Sequence, residues 1–324
     1  MGIIQNPKTY SGRELEEIFF RPVFTGANAE QLGIRVLYNM PMPTTVHLWS
    51  PAGNVLKTYA TGWQGGDKSV KKVRTIDMKK VKAESAFSAA DYFSMVFEQI
   101  VNSGDVNMQD LTGTQLEAAE TELFKKAVAE SLRMTMWLGD FGGSTGYNTF
   151  DGILKAAYAA VATETETGSY IISADIAPKT VVDILDGTWK AASHTLRSYK
   201  DEGQLAYFVT PDIYDAYQGW LDTKNVDSAY REFTEGRPTL SYHGIPVINI
   251  AVGDELKKTK LPQSICMLTD RRNLVLAVNT ADSPETEVRM WYNPDEMENR
   301  QRAVFLAGAT IIDPALLSFG YKAV

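Results

Sequence analysis

The sequence predicts an α+β fold on three observations. Apolar residues recur at helical spacing over residues 114–138, which predicts one long amphipathic helix. An apolar run that ends at Val209 leads into a second helix, which Pro211 opens at a position that needs no N–H donor. Val288 to Tyr292 and Arg302 to Ile312 are apolar-rich and predict two long strands near the end of the chain.

Composition indicates a globular chain. Its 324 residues are 44% hydrophobic and 22% charged, which allows a sizeable core and up to two domains. The formal net charge of -8 argues against a surface that tracks nucleic-acid phosphates. No apolar run approaches the roughly 20 residues that cross a bilayer. The first residues lack the basic region of a signal peptide, so we expect a cytosolic protein.

Cys266 is the only cysteine, which excludes an intrachain disulfide. Its neighbours Ile265, Met267 and Leu268 are apolar. This pattern predicts a buried thiol in a strand and disfavours a reactive nucleophile, since reactive thiols have electropositive surroundings.

Residues 1–36 are predicted to form an N-terminal arm. Arg13 to Phe20 place three apolar residues among charges and predict one short amphipathic helix. So short a helix is not stable alone, and we expect it to lie on a neighbouring molecule or on the body of its own chain. Phe19 and Phe20 are its candidate contact residues.

A β-hairpin is predicted from Val46 to Trp49 and from Val55 to Tyr59. A glycine-rich tip over residues 61–68 and a lysine-rich extended segment to Ala86 follow it. A long polar pair of strands cannot bury both faces within one chain, so this projection needs a partner surface. Its candidate contact residues are Gly62, Trp63, Gly65, Gly66, Lys68, Lys71 and Lys72.

The long helix has clear ends, because Thr114 and Glu117 form a capping box and Gly139 stops the helix. Shorter helices are predicted from residue 153 to 161 and from Pro178 to Leu185. The glycine-rich loop that starts at Gly139 lacks the Gly-Lys-Ser/Thr ending of a phosphate loop and contains Asp140. Nucleotide binding is therefore not expected.

The stretch from Phe208 to Val278 has the most informative order. Thr210 and Pro211 open a helix after a strand, and a Gly-Ile-Pro-Val sequence at 244–247 begins a strand entered through proline. Ile265 to Leu268 and Leu274 to Val278 then predict a pair of strands joined by a short polar turn.

This succession resembles the signature of the major capsid proteins of tailed bacteriophages, whose Hong Kong ninety-seven fold is shared with encapsulins. The matching residues are Val209-Thr210-Pro211 and Gly244-Ile245-Pro246-Val247. The resemblance implies an α+β phage major capsid fold with an N-terminal arm, an extended β-hairpin loop, a peripheral domain with a long spine helix and a β-sheet, and an axial domain.

The resemblance also implies boundaries along the chain. The arm would cover residues 1–36, the extended loop 37–90, the peripheral domain 91–160 with 285–324, and the axial domain 161–284. Arg237, which ends a loop that begins near Thr223, is a further candidate contact residue.

The function implied by the resemblance is structural and not enzymatic. The chain would self-assemble into pentamers and hexamers that form an icosahedral shell around a double-stranded DNA genome. Its implied partners are copies of itself, a portal, scaffold or decoration proteins, and packaged DNA held without specificity, with no membrane contact. Its implied location is the virion, after assembly in the host cytoplasm.

Some members of this family join the extended loop to a neighbour's peripheral domain by a lysine to asparagine isopeptide bond. The candidates here are the amines of Lys57, Lys68, Lys71 and Lys72, the amides of Asn293 and Asn299, and the proton acceptors Glu296 and Glu298. The reaction needs a desolvated lysine with a lowered pKa. Because these lysines crowd on a polar strand, surface solubility is the competing interpretation.

No other site chemistry is predicted. His47, His194 and His243 have no Cys, Asp or Glu at ligand spacing, so neither a metal nor another cofactor is expected. Two alternative functions stay open: an encapsulin-like compartment with protein cargo, and a soluble α+β enzyme whose site has no sequence motif. Particle contents would test the first alternative, and a monomeric or dimeric elution profile would favour the second.

Overall fold

The structure, a computed structural model, describes residues 8–10, 29, 32–38, 44–50, 58–62, 69–88, 115–144, 146–224, 230–234, 237–279 and 287–323. Within them the chain forms five α-helices, two large β-sheets and a two-stranded sheet. The helix predicted at 13–20, including Phe19 and Phe20, and the capping residue Thr114 lie outside these residues.

The α-helices are α1 Gln115–Leu138, α2 Ile153–Thr163, α3 Val181–Ala191, α4 His194–Ser198 and α5 Pro211–Lys224. The strands are β1 Lys8–Tyr10, β2 Arg35–Tyr38, β3 Thr44–Ser50, β4 Val70–Ile76, β5 Lys79–Ser88, β6 Gly168–Ile172, β7 Leu205–Val209, β8 Tyr230–Thr234, β9 Arg237–Tyr242, β10 Ile245–Asn249, β11 Ile265–Asp270, β12 Leu274–Asn279, β13 Glu287–Asn293, β14 Glu298–Ile311 and β15 Leu317–Lys322.

The first sheet is built around β14. Its order is β1-β13-β14-β12-β2, and β5 pairs with the other side of β14. Residues 298–304 of β14 pair with β13 and residues 306–311 with β12, whereas β5 runs antiparallel to residues 298–307. The predicted pair of long strands near the end of the chain is thus confirmed as β13 and β14.

The second sheet has the order β6-β15-β11-β7-β10-β9-β8. Every residue of β7 and β11 is buried, which explains why both strands are continuous apolar runs in the sequence. One face of the sheet packs with α3 and α5 in a cluster that includes Leu185 and Ile213. The other face packs with α1 and α2 in a cluster that includes Trp137, Leu154 and Phe208.

The predicted pairing of Ile265–Leu268 with Leu274–Val278 is wrong, although both strands form. β11 lies between β15 and β7 in the second sheet, whereas β12 lies between β14 and β2 in the first. The short 3-10 turn Arg271–Asn273 carries the chain from one sheet to the other. Because both strands are buried on both faces, each needs neighbouring strands that a two-stranded hairpin could not supply.

The predicted partner of the strand at 46–49 differs from the observed one. β3 pairs with β4, in a register that runs from Thr44↔Ile76 to Ser50↔Val70. Of the predicted partner 55–59, residues 58 and 59 are not in a strand, and residues 55–57 lie outside the described residues. Ile76 is 1% exposed and belongs to a cluster with the first sheet. Because Ile76 is buried against the first sheet, β4 is the strand that lies beside β3, although 19 residues separate the two strands in the chain.

Two strands of the predicted peripheral and axial domains lie in the sheet that is mostly formed by the other domain. β12 was expected in the axial domain and lies in the first sheet, and β15 was expected in the peripheral domain and lies in the second. β12 enters the first sheet directly after the 3-10 turn Arg271–Asn273, whereas β15 follows a reversal after β14, where a 3-10 turn at Pro314–Leu316 returns the chain antiparallel to β11.

The predicted helices form with small differences at their ends. α1, α2 and α5 match the predicted spans closely, but α3 begins at Val181 and not at Pro178. The Thr180 hydroxyl donates to Asp175 O at 2.6 Å and accepts from Ala177 N at 3.1 Å. These bonds fix residues 178–180 as a turn, which delays the helix by three residues.

The end of α1 depends on a close backbone contact with the start of α2. Gly139 N–H donates to Thr135 O at 2.8 Å, and Gly152 N–H donates to Gly139 O at 2.8 Å. A Cβ at position 139 would lie 2.2 Å from Phe150 O, so only glycine fits there. This contact directs the last turn of α1, including the fully buried Trp137, into the core.

We expect Gly139→Ala to lower the free energy of unfolding by about 2 to 3 kcal/mol, because the added Cβ overlaps backbone oxygens that are held by hydrogen bonds. Urea unfolding of the unassembled subunit measures this change. Gly219→Ala in α5 is the matched control, since its Cβ would meet only Pro178 Cγ at 3.6 Å. The control should raise stability by up to ~1 kcal/mol or leave it unchanged, and equal losses in both variants would contradict the close-contact explanation.

Candidate assembly surfaces

The β3–β4 hairpin has one covered face. Val46 and Leu48 pack with Ile76 against a cluster that includes Val275 and Leu306 of the first sheet. The two strands are therefore fixed at their base to the body of the chain.

The other face of the hairpin is open. Residues directly opposite each other in an antiparallel pair share a face, so the register places Thr45 with Thr75 and His47 with Val73 on this side. All four side chains are exposed, and Val73 is 52% exposed although it is apolar. As predicted, the described part of the hairpin does not bury both faces within one chain.

The segment that follows the tip is basic, in contrast to the acidic chain as a whole. Its charged residues are Lys71, Lys72, Arg74, Lys79, Lys80 and Lys82 against Asp77 and Glu84. The Lys79–Asp77 pair at 2.8 Å and the Lys82–Glu84 pair at 2.9 Å lie at the surface, with only Lys79 half-buried, and such pairs contribute little to stability. The excess positive charge favours a partner surface that carries acidic groups.

One ion pair joins the hairpin to a helix of the same chain. Arg74 Nη2 lies 2.8 Å from Glu164 Oε1, just beyond the end of α2. Both side chains remain about two-fifths exposed, so the pair orients β4 more than it stabilises the fold.

Four of the predicted contact residues lie within the described part of the chain. Gly62 is exposed with φ 96°, and a Cβ there would meet nothing within 4 Å. Lys71 and Lys72 lie on β4, and Arg237 is the first residue of β9. Trp63, Gly65, Gly66 and Lys68 lie outside the described residues. The contacts of all these residues with a neighbour stay predictions.

The asparagines predicted for an isopeptide bond differ in accessibility. Asn299 is 7% exposed and sits within the first sheet, between Phe87 and Tyr292. Asn293 ends β13 and is half-buried, so a neighbour's lysine could reach it with less rearrangement. Of the amine candidates, Lys57 and Lys68 lie outside the described residues.

The predicted proton acceptors for that bond already have a cationic partner. Glu296 forms an ion pair with Arg300, and Glu298 Oε2 lies 3.4 Å from Arg300 Nη2. Both carboxylates are thus engaged with the Arg300 guanidinium, and a proton-accepting role would require one of these contacts to break. The isopeptide bond stays a prediction.

Sequence reasoning missed the exposed apolar side chains near the hairpin. Tyr59 is 91% exposed, although it was predicted to end a strand. In the sequence Val73 lies between Lys72 and Arg74, and an apolar residue between two basic ones is a signal that could have been used. Single exposed apolar side chains are common on protein surfaces, so Val73 is a candidate contact residue only because the described side chains around it on this face of the hairpin are exposed as well.

The spine helix α1 is clamped to the second sheet. Arg133 donates to the carbonyl oxygens of Ile250 and Ala251 at 3.4 and 3.3 Å, and to Glu130 at 3.0 and 2.5 Å. The hydrogen bond from Arg133 lowers the pKa of Glu130 below its usual value. One turn farther along the helix, the Trp137 ring lies 5.7 Å from that of Phe208 in β7. These contacts make α1 and the second sheet one rigid frame.

The described residues offer no obvious reactive centre. Among them, no group of three or more His, Cys, Asp and Glu side chains is arranged to hold a metal ion. His47 and His194 are exposed, and His243 is exposed in a turn with φ 52°. None of the described helices is long and apolar enough to cross a membrane.

The buried cysteine is confirmed. Cys266 is 0% exposed in β11, and burial raises the pKa of its thiol to about 12. The thiol therefore keeps its proton and is not a nucleophile in the folded chain.

We expect iodoacetamide to leave Cys266 unmodified in the native subunit at pH 8 and to alkylate it after unfolding in urea, as measured by mass spectrometry. Because the folded-state pKa is raised, the neutral thiol adds stability below the ordinary pKa of 9.0, and this contribution is lost as the pH rises toward about 12. Fast alkylation of the native subunit would show that the thiol is accessible.

No protein-family model matches this sequence, and no curated protein sequence matches it. Solved structures do. A chain from the procapsid of satellite phage P4, a structure that includes the size determination (Sid) protein, gives a TM-score of 0.56 at 10% identity, over 94% of this chain and 97% of that one. A chain from the capsid of a native GTA particle gives 0.50 at 13% identity, over 92% and 90%. A chain from the capsid of cyanophage A-1(L) gives 0.50 at 14% identity, over 91% and 93%.

This chain has a phage capsid fold. Each match extends over at least 90% of both chains, so the likeness includes both large sheets and the spine helix together. The predicted fold class is confirmed. At these identities the likeness concerns the fold, and it does not extend to individual side chains.

Proposed function

We propose that this chain is the major capsid protein of a tailed bacteriophage, a structural protein and not an enzyme. It self-assembles into pentamers and hexamers that form the icosahedral shell around the double-stranded DNA genome. The observation that carries the proposal is the likeness of nearly the whole chain to chains of phage procapsids and capsids. One of those capsids was computed with C5 symmetry, which is the symmetry of a ring of five.

The hairpin supports self-association as the mode of action. It is fixed at its base, open on one face, and basic in a chain of net charge -8. A basic projection on an acidic molecule is complementary to another copy of the same molecule. Such a head-to-tail contact is heterologous, and repetition by rotation closes it into a ring.

In this proposal each domain of the shell subunit is built on one of the two large sheets. The peripheral domain consists of the first sheet with α1, and the axial domain consists of the second sheet with α3, α4 and α5. The arm keeps residues 1–36 and the extended loop 37–90, with β5 as the base of the loop in the first sheet. In this arrangement the two sheets and α1 form the rigid part of the subunit, and the arm and the extended loop project from it.

The proposed partners are other copies of the chain, a portal, and scaffold or decoration proteins. Packaged DNA is held without specificity, because the chain is acidic and a phosphate-tracking surface would need a clustered excess of Lys and Arg. The proposed location is the virion, after assembly in the host cytoplasm.

We expect Val73→Glu to reduce shell formation at least tenfold, because it places a carboxylate on the open face of the hairpin where an apolar contact with the next copy is lost. Electron microscopy and sedimentation of the expressed protein count the shells. Thr195→Glu, at an exposed position of α4, is the matched control and should assemble normally. Both variants should keep the circular dichroism spectrum of the parent, and normal shells from Val73→Glu would remove the hairpin face from the contact.

We expect deletion of residues 62–68 to block particle formation while the subunit stays folded, because the tip of the projection is lost. Circular dichroism checks the fold, and microscopy checks the particles. Normal shells from this variant would show that the projection is not the main contact.

We expect particles purified after infection or heterologous assembly with packaging components to contain nuclease-protected double-stranded DNA. Gel electrophoresis after nuclease treatment measures it. A protein cargo in place of DNA would favour the encapsulin-like compartment, and a strictly monomeric or dimeric protein would count against any shell.

A further inference from the structure

The 3-10 turn that joins the two large sheets carries an arginine without a partner. Arg271, its first residue, is half-buried, and its Nε atom is buried and makes no hydrogen bond. Among the described residues, no carboxylate lies within ion-pair distance of its guanidinium. A charge that is removed from water without a partner is unfavourable, and folded chains seldom retain one. Arg271 is therefore a candidate for a partner outside its own chain.

The carboxylates beside the turn are already occupied by the next arginine. Asp270 Oδ1 accepts from the Arg272 backbone N–H at 2.8 Å, and Asp270 Oδ2 accepts from Arg272 Nη2 at 2.6 Å. Glu202 Oε2 accepts from the same Nη2 atom at 2.7 Å. Because Asp270 is only 3% exposed, it is fixed in this arrangement. Arg271 thus follows an aspartate in the sequence and still receives no hydrogen bond from it.

Burial of the Arg271 guanidinium is energetically unfavourable in the isolated subunit. Desolvation lowers the pKa of Arg271 below its ordinary value, and the nearby charge of Asp270 opposes this shift without cancelling it. A lowered pKa of a basic group means that the fold disfavours its charged form. An arginine nevertheless keeps its proton at neutral pH. The charge therefore stays in a place where the subunit alone does not compensate for it.

The position of the guanidinium is fixed by its surroundings. Gly33 has φ 72°, and a Cβ there would lie 2.8 Å from Arg271 Cδ, so the aliphatic part of the arginine lies directly on the Gly33 backbone. The Arg271 N–H donates to Gln204 O at 3.1 Å. At the other end of the turn, Asn273 Nδ2 donates to Asp313 O at 2.9 Å, and Asn273 Oδ1 accepts from Asp313 N–H at 2.7 Å. A group held in this way loses little freedom when it binds a ligand.

The local charge indicates which anion fits. A guanidinium binds carboxylates and phosphates through two parallel hydrogen bonds. Here the two arginines of the turn are balanced by Asp270 and Glu202, whereas a nucleic-acid backbone needs a clustered excess of basic residues. A single carboxylate fits this site better than a series of phosphates. A second copy of the chain is rich in that group, since the chain has 40 acidic and 32 basic residues.

We propose that Arg271 of one copy binds a carboxylate of a second copy, so that the turn between the two large sheets lies at a subunit interface. In the isolated subunit the guanidinium has no partner, and assembly supplies one. The contact therefore favours the assembled state over the free subunit without stabilising the subunit itself. This inference rests on the proposed self-assembly and adds to it a specific residue and the chemistry of its partner.

Replacement of the charge tests the proposal through two effects of opposite sign. Arg271→Gln should reduce shell yield about fivefold or more, as counted by sedimentation and electron microscopy. The same change should leave the urea unfolding midpoint of the unassembled subunit unchanged or raise it, because an uncompensated charge is removed. Normal shell yield would overturn the proposal. A lowered midpoint would show that the guanidinium has a partner inside the subunit and would overturn it as well.

Arg272→Gln is the matched control, because Arg272 has its partners within the chain. This change leaves the buried Asp270 without its cation and should lower the unfolding midpoint of the subunit. The two neighbouring arginines should thus differ in the sign of their effect on the subunit. Arg271→Gln shells that form at the parent yield but protect less DNA from nuclease would assign the guanidinium to phosphate and overturn the proposal.

Cross-linking identifies the partner. Arg271→Lys keeps the positive charge and supplies an amine that a carbodiimide can couple to a carboxylate in direct contact. The unlabelled variant is co-assembled with isotope-labelled parent chain, the shells are treated with carbodiimide, and the linked peptides are sequenced by mass spectrometry. We expect position 271 of an unlabelled peptide to be joined to an Asp or Glu of a labelled one.

The cross-linking control is Arg272→Lys, which should couple to Asp270 or Glu202 and give peptide pairs from one chain only. Shells in which position 271 forms no mixed-label pair would overturn this inference and leave the proposed function intact. Coupling of position 271 only to its own chain would also overturn it. Absence of shells from the parent protein would overturn the proposed function, and this inference with it.

Discussion

The alternation of side chains along β14 is the constraint on which the rest of the structure depends. Successive residues of a strand point to opposite faces, so one strand can hold two layers at once. Ala303 and Phe305 face the cluster that contains the spine helix, whereas Leu306 faces the small cluster that anchors the hairpin. A shift of β14 by one residue would exchange these faces and detach both elements together.

The same strand brings distant parts of the sequence into one sheet. β5 precedes the spine helix in the chain, whereas β12 and β13 come from the last quarter, and all three pair with β14. The hairpin and the frame behind it are therefore coupled through backbone hydrogen bonds. A projecting element that transmits force between subunits needs such a base, because each contact in a shell is weak and strength comes from repetition.

The clamp between α1 and the second sheet completes this frame. Arg133 bonds the loop after β10, and Trp137 packs on β7, so the helix cannot move independently of the second sheet. A groove between α1 and β5 lies on the opposite side of the same helix. In the proposed shell, this rigid frame carries the hairpin through which one copy contacts another.

Features that depend on local periodicity and end signals were accessible from the sequence. The span of α1, the helix that starts at Pro211 and the buried environment of Cys266 all follow from a few neighbouring residues. The resemblance to capsid proteins depended on the order of such local features, and the structural likeness over nearly the whole chain confirms the fold.

The sequence by itself determined the helices α1, α2, α3 and α5 and strands such as β11 to β14, because propensity and periodicity act over a few residues. Only the tertiary structure decided which strands pair: β3 joins β4 and not the residues after the first turn, and β11 and β12 separate into different sheets. Strand pairing depends on burial of both faces of a strand against elements that are distant in the chain. A local sequence pattern does not identify those elements. The groove was inaccessible to sequence reasoning for the same reason, since it arises where α1, β5 and β14 meet.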